Sequence, residues 1–498
     1  MPPNSPAASA EREVPAGPDA AGQRARGALS RSAGLARRHW PALTLLAAGL
    51  ALRVVAQVSY VPALFYIDTN RYLLNVAQGM DPVGYEGPLR AIAFVGGFAA
   101  VAAFQHLLGL AMAVLIYLLL LRRGASRWLG ALAIAPLLLD AYQVQIEQML
   151  MPDTLFEALA LAGLAVLAWR PETGWRRAVA AGLVLGASAT VAQIGEALLL
   201  PAVLYLLVTG GRWRPAIGRA AALGAAFAVP ILAYSAGNYA LTGSFFLSHT
   251  GVTSLYGRTA AAADCTTLVL PPVERGMCPT PAQQAHGPDW LEYNPRSPIR
   301  PYYAGPDRAR TDQLITNFGH AVLTQQPLRV LAAYGRDVVK LFEQPRIGNR
   351  GDTPISRWQF QTHFPYFPPW SSRHEVRQEM SLFGGGTPAV WHPGAAFLRG
   401  YQLGGGYTPG PLFALFTLAG LAGSVLAFFR RRTDPRTRLL ARGCLLFFAA
   451  AWSVLGVSDL FEFSWRYQLP ALVTLAPAGA LGLAAVLSLA RARSAEHG

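Results

Sequence analysis

The sequence predicts an all-α polytopic membrane protein, and three observations predict it. Hydrophobic residues make up 53% of the 498-residue chain and charged residues only 14%, well below the charge of ordinary soluble domains, and the mean hydropathy is +0.30. About ten segments approach the roughly 20 mostly apolar residues that a bilayer-spanning helix needs. Arginines gather at every second connection between those segments, as they do where short loops stay on the inner side of a membrane.

The expected spans run from Pro41 to Tyr60, Phe94 to Leu121, Trp128 to Val144, Pro152 to Trp169, Ala178 to Val191, Ala197 to Val208, Ile217 to Tyr234, Gly410 to Phe429, Leu439 to Val457 and Leu469 to Leu489. The fifth and sixth are short. Arg37 and Arg38 precede the first span, Arg122, Arg123 and Arg127 follow the second, and Arg170, Arg176 and Arg177 follow the fourth. Arg212, Arg214 and Arg219 follow the sixth, Arg430, Arg431, Arg432, Arg436 and Arg438 the eighth, and Arg491 and Arg493 close the chain. This alternation puts both termini on the cytoplasmic side of a cell membrane.

Residues 1–36, rich in Pro, Ala, Gly and Ser, read as a disordered cytoplasmic tail. They are not a cleavable signal peptide, because the apolar stretch begins too late and runs too long. Residues 37–235 form an N-terminal transmembrane module, 236–409 a large extracytoplasmic segment between the seventh and eighth spans, and 410–498 the C-terminal transmembrane helices. A loop that long without structure is uncommon, so a folded domain or interfacial helices are expected there, with the aromatic stretch Phe360 to Trp370 at the headgroup boundary. Cys265 and Cys278 lie together in this segment, and an oxidising compartment would pair them as a disulfide. His249 and His286 are too isolated to make a zinc site with them. Cys444 lies within a span and reads as a small packing residue.

The net charge of +15 does not indicate a nucleic-acid partner, because the arginines fall in short runs and not in one patch with aromatics interleaved. No Walker loop, G-x-S-x-G, H-E-x-x-H or cofactor fingerprint is present. Chemistry is therefore sought among the ionisable residues at or near membrane depth, which are costly to place there. Asp68, in F-Y-I-D-T-N-R-Y-L, either starts a helix lying on the membrane or serves a site, together with Arg71 and Tyr72. Glu147 and Asp153 share the stretch Q-I-E-Q-M-L-M-P-D-T-L; Asp153 also suits a helix start, whereas Glu147 has no arginine near it in sequence. Gln193 and Glu196 read as a solvated turn or as support for an acceptor. Arg53 and Arg466 either anchor helix ends or, with Arg258, Arg346 and Tyr467, bind phosphate oxygens.

The arrangement resembles the GT-C superfamily of polytopic glycosyltransferases, in the branch of protein O-mannosyltransferases and aminoarabinose lipid A transferases. The match lies in a basic flank, a first span, an Asp in the first outer loop with a Tyr four residues on (Asp68, Tyr72), acidic residues in the next outer loop (Glu147, Asp153), and R-Y-Q-L-P from Arg466 to Pro470. The resemblance implies an inverting transferase that moves a sugar from a polyprenyl-phosphate carrier to a hydroxyl of a cell-envelope glycan, lipid or protein on the outer face. Asp68 would be the general base, Asp153 or Glu147 would help to bind acceptor or metal, and the arginines would hold the donor phosphate. Many members carry a second acid directly after the Asp, where this chain has Thr69. No cofactor is assigned on these grounds, and a divalent cation is left open. A transporter or flippase, or a non-catalytic scaffold, would use the same residues as a path or a surface, although the long outer segment breaks the internal symmetry common in transporters.

Overall fold

The computed structural model describes residues 18–74, 82–304, 308–368, 371–383, 386–429 and 434–497. Of the features expected above, residues 1–17 of the tail, Trp370 and the run Arg430 to Arg432 lie outside the described residues.

The first half of the chain folds as α1 (Pro18–Ser59), α2 (Ile67–Leu74), α3 (Glu86–Arg122), α4 (Arg127–Leu139), α5 (Ala141–Gln148), α6 (Asp153–Ala168), α7 (Trp175–Val191), α8 (Leu199–Thr209) and α9 (Trp213–Thr242). The middle contributes α10 (Thr250–Ala262), three short helices α11 (Pro272–Arg275), α12 (Pro281–Gln284) and α13 (Gly287–Tyr293), then α14 (Arg308–Gln325), α15 (Pro327–Lys340), α16 (Arg373–Ser381) and α17 (His392–Leu403). The chain ends with α18 (Gly410–Leu426), α19 (Pro435–Phe461) and α20 (Ala471–His497). The one sheet among the described residues pairs β1 (Tyr60–Val61) with β2 (Ala389–Val390), antiparallel.

Five helices among the described residues are long and apolar enough to cross a membrane: Ala36–Ser59, Glu86–Arg122, Trp213–Thr242, Pro435–Phe461 and Trp465–Ser494. Helices α6, α7, α8 and α18 have 16, 17, 11 and 17 residues, about 17 to 26 Å at 1.5 Å per residue against a hydrocarbon core of about 30 Å. The third expected span is interrupted, since α4 and α5 meet at 53°. Pro136 sits in the last turn of α4, and Asp140 turns extended and caps α5, accepting the Tyr142 N–H at 3.0 Å. At the N-terminus, α1 runs back to Pro18, into the stretch expected as a tail, and bends at His39 just before Pro41. The Ala and Arg of that stretch are strong helix formers.

Small residues bring the helices together. A Cβ at Gly186 of α7 would collide with the Phe227 carbonyl of α9, and one at Gly482 of α20 with the Ala419 carbonyl of α18. The segment 236–409 divides in two. Its first part, α10 to α15, has a hydrophobic cluster of its own around Tyr256, Leu291, Phe318 and Val330, beside the Cys265–Cys278 disulfide. Its second part packs Trp358, Phe360, Val376 and Leu398 into the main core with α1 to α8 and α18 to α20.

Candidate functional site

The site is assembled by backbone pairing before any charge takes part. Leu64 and Met149 form a parallel bridge, with Leu64 N–H donating to the Gln148 carbonyl at 2.9 Å and Leu150 N–H to the Leu64 carbonyl at 3.0 Å. This stitches the stretch before α2 to the stretch before α6. Thr69 tightens the seam: it is fully buried, its hydroxyl accepts the Tyr66 N–H at 2.9 Å and donates to the Leu150 carbonyl at 3.1 Å. Asp68 and Asp153, in the first turns of α2 and α6, are thereby brought to the same end of the bundle.

Arg466 joins them from the 3-10 turn Trp465–Gln468 that precedes α20. Its Nη1 donates to Asp68 Oδ2 at 2.9 Å, while Nε and Nη2 grip the two oxygens of Asp153 at 2.7 and 3.0 Å. The guanidinium lies 5.5 Å from the ring centres of both Trp358 and Tyr467. Arg71 approaches Asp68 at 3.5 Å and sits over the Tyr293 ring of α13. Burial alone would push the Asp68 carboxyl up, but the charges of Arg71 and Arg466 and the Arg466 hydrogen bond outweigh it and hold the carboxyl below its ordinary range. Asp68 is thus an anion at neutral pH, with the protonation state a base requires.

Two residues of this cluster carried no sequence signal of their own. Arg357, from the turn Ile355–Trp358, donates to the Tyr66 hydroxyl at 3.1 Å and stands 3.7 Å from Asp289 of α13. Asp289 is pushed up by burial, against the opposing pull of Arg357. Behind it, burial raises Glu292 to about 7, although Thr253 and Ser254 donate to its carboxylate. Burial and repulsion from Asp289 and Glu292 also push the Glu462 carboxyl well above its ordinary range. Arg357 lies just ahead of the aromatic run Phe360 to Trp370 expected at the headgroup boundary, and Asp289 in a P-D-W helix start; neither pattern marks a site.

The other expected residues are held elsewhere. Glu147 is fully buried, bonded to Arg53 Nη2 at 2.7 Å and to His106 Nδ1 at 2.9 Å, and Arg53 Nη1 and Nη2 also donate to the carbonyls of Gly49, Leu137 and Leu138. That pair ties α1 to the α4–α5 break. Gln105 bonds the backbone carbonyls of Glu147 and Met149 and takes the Tyr85 hydroxyl, whose ring packs edge-on against Tyr72. Arg346 forks onto Asp140 at 2.8 and 3.3 Å inside a cage of Tyr142, Tyr407 and Trp465. Arg258 pairs with Asp337 and caps the carbonyls of Asp459, Leu460 and Phe461 at the end of α19. Gln193 accepts the Thr250 hydroxyl at 3.2 Å, and Glu196 is exposed on the 3-10 turn that begins α8.

Among the described residues no three His, Cys, Asp or Glu side chains converge to hold a metal ion. Between Asp68 and Asp153 the cationic position is already filled by the Arg466 guanidinium, so the residues do not fit a bridging cation and no step is derived through one.

Fold and site together define a membrane-embedded, all-α protein with a charged cluster at one end of its helices. No family model matches the chain, and no curated protein matches it by sequence. Among solved structures it is similar to the S. cerevisiae protein O-mannosyltransferase Pmt1-Pmt2 complex bound to the sugar donor, at 17% identity over 46% of this chain and 38% of that one, with a TM-score of 0.32. It is also similar to the archaeal oligosaccharyltransferase AglB from Archaeoglobus fulgidus, in complex with an inhibitory peptide and a dolichol-phosphate, at 14% identity over 93% of this chain and 52% of that one, with a TM-score of 0.42. This chain spans about half or less of the length of either.

Proposed function

We propose that the chain is a membrane glycosyltransferase that moves a sugar from a polyprenyl-phosphate carrier to an acceptor hydroxyl on the outer face of a cell membrane. The observation that carries the reading is the convergence of Asp68, Asp153 and Arg466, the same residues that carry the sequence resemblance, from two ends of the chain onto one ion cluster. In the proposed step Asp68 accepts the proton of the acceptor hydroxyl, whose oxygen forms a bond to the anomeric carbon as the bond from that carbon to the phosphate oxygen breaks. The phosphate departs as an anion, and the guanidiniums of Arg466, Arg357 and Arg71 balance its charge. Donor-phosphate binding falls to these three and Tyr467, while Arg53, Arg258 and Arg346 hold the scaffold. Asp153 orients Arg466.

The test is transfer of radiolabelled sugar from a polyprenyl-phosphate donor pool in membranes carrying the wild-type chain or Asp68→Asn at matched expression. Loss of a positioned base costs roughly 100- to 10,000-fold, so the Asn variant is expected to fall to background. Transfer by neither protein across the plausible donors would overturn the enzyme; equal transfer by both would keep the enzyme and discard Asp68.

A further inference from the structure

Four of the buried arginines are matched by a carboxylate: Arg53 by Glu147, Arg258 by Asp337, Arg346 by Asp140, and Arg466 by Asp68 and Asp153. Arg123 is not. It is 1% exposed, yet its partners are neutral: Nη2 donates to the Tyr205 hydroxyl at 2.8 Å, Nη1 to the Leu439 carbonyl at 3.4 Å, and Nε has no partner. A buried charge without a counter-charge costs several kcal/mol. The cost is compounded by neighbours of like sign, because Arg122 and Arg170 line the same cavity of about 300 Å³ together with Trp169, Pro171 and Leu439. Arg122 donates to the Trp169 carbonyl at 2.8 Å and stacks on its ring, which fixes that guanidinium at the rim. Of the acids nearest in sequence, Asp434 is used up capping α19 through Arg436 and Thr437, and Glu172 is exposed and does not line the cavity.

The cavity lies at the far end of the helices from the Asp68 cluster. Asp153 opens α6 and Trp169 follows it, a separation of about 24 Å along the axis. That end also carries a ring of exposed tryptophans: Trp40 near the start of the first membrane-length helix, Trp128 at the start of α4, Trp175 of α7 and Trp213 of α9. Tryptophan gathers at the level of lipid headgroups, so the cavity mouth stands where lipid phosphates are.

We propose that the cavity of Arg122, Arg123 and Arg170 binds the phosphate of an anionic membrane-lipid headgroup, which supplies the counter-charge that Arg123 lacks. Basic pockets between membrane helices are suited to such headgroups. The site is separate from the proposed transfer chemistry and does not depend on it.

The obvious variant, at Arg123, removes a buried group that also holds Tyr205, so the test uses the exposed pair. Full-length protein in a neutral detergent is titrated with dioleoylphosphatidylglycerol, with dioleoylphosphatidylcholine and with inorganic phosphate, and the thermal midpoint is read against each protein's own detergent value. The wild type is expected to be stabilised by phosphatidylglycerol alone. In Arg122→Gln/Arg170→Gln the apparent affinity for phosphatidylglycerol is expected to weaken at least 10-fold, while Arg37→Gln/Arg176→Gln, which removes the same charge outside the cavity, keeps it. Equal stabilisation by phosphatidylcholine, or equal loss in both double variants, would overturn the site; stabilisation by inorganic phosphate matching that by phosphatidylglycerol would reassign the oxyanion to a soluble phosphate and overturn the lipid.

Discussion

Arg466 reaches Asp68 across 398 residues of chain, Nη1 to Oδ2 at 2.9 Å, and with Nε and Nη2 it clamps Asp153. One guanidinium therefore holds the starts of α2, α6 and α20 in register, and the three-point geometry belongs to arginine and not to lysine. Arg466→Lys keeps the charge but loses the fork; transfer is expected to fall on the order of 100-fold through misplacement of Asp68, with the thermal midpoint little changed. Arg466→Ala leaves two carboxylates facing each other and is expected to lower the midpoint as well. The measurement is transfer rate per folded protein beside the melting curve. A fully active Lys variant would show that the fork is not used.

The Arg53–Glu147 pair predicts the opposite pattern. Both side chains are at most 1% exposed, so breaking the pair strands a charge, at about 3–5 kcal/mol. Arg53→Met and Glu147→Leu singly should each lower stability by that order, and the double variant should regain most of it because no charge is left unpaired. Transfer per folded protein should be near that of the wild type in all three. Additive losses in the double variant would count against the pair as drawn.

Glu292 gives a pH dependence of unusual sign. Burial raises its carboxyl from 4.5 to about 7 in the folded chain, so between those values the folded state holds a proton that the unfolded state has lost. Stability from this group is present in full below pH 4.5 and declines as pH rises to about 7, whereas a paired carboxylate does the reverse. Glu292→Gln, which mimics the protonated form, should flatten this part of the stability profile of α10 to α15. Hydrogen exchange across that range reads it directly, and a slope unchanged in the Gln variant would assign the effect to another group.

The fold class was legible in the sequence because hydrophobic length is a local property, and the apolar stretches around α3, α9, α19 and α20 need no tertiary knowledge. The break at Asp140 was not, because Trp128 to Val144 is apolar enough throughout, and only the fork to Arg346, 206 residues away, shows that Asp140 turns the chain inward. For the site, Asp68, Asp153 and Arg466 were legible as ionisable residues at span ends, and their resemblance to a known pattern grouped them. Their rivals Arg53, Arg258 and Arg346 carried the same local signal, since sequence alone cannot tell a buried ion pair from a ligand-binding arginine. Arg357 and Asp289 were invisible because each gains its meaning from a partner more than 60 residues distant.

Thr69 occupies the position where a second acid was expected from the resemblance, and its burial explains the difference. With no exposure and with its hydroxyl bridging Tyr66 and Leu150, the side chain belongs to the seam that aligns Asp68 with Asp153. Thr69→Ser retains the bridge and should retain transfer. Thr69→Val keeps the shape and loses the hydroxyl, leaving buried backbone groups short of a partner at about 1–3 kcal/mol. Thr69→Glu would bury a second carboxylate beside Asp68, at a position with no exposure, and is expected to destabilise the chain most and to abolish transfer with or without added magnesium. Melting curves and transfer assays of the three variants, each in chelator and in magnesium chloride, decide the matter. A folded Glu variant with magnesium-dependent transfer would show that this loop can accept a cation beside Arg466.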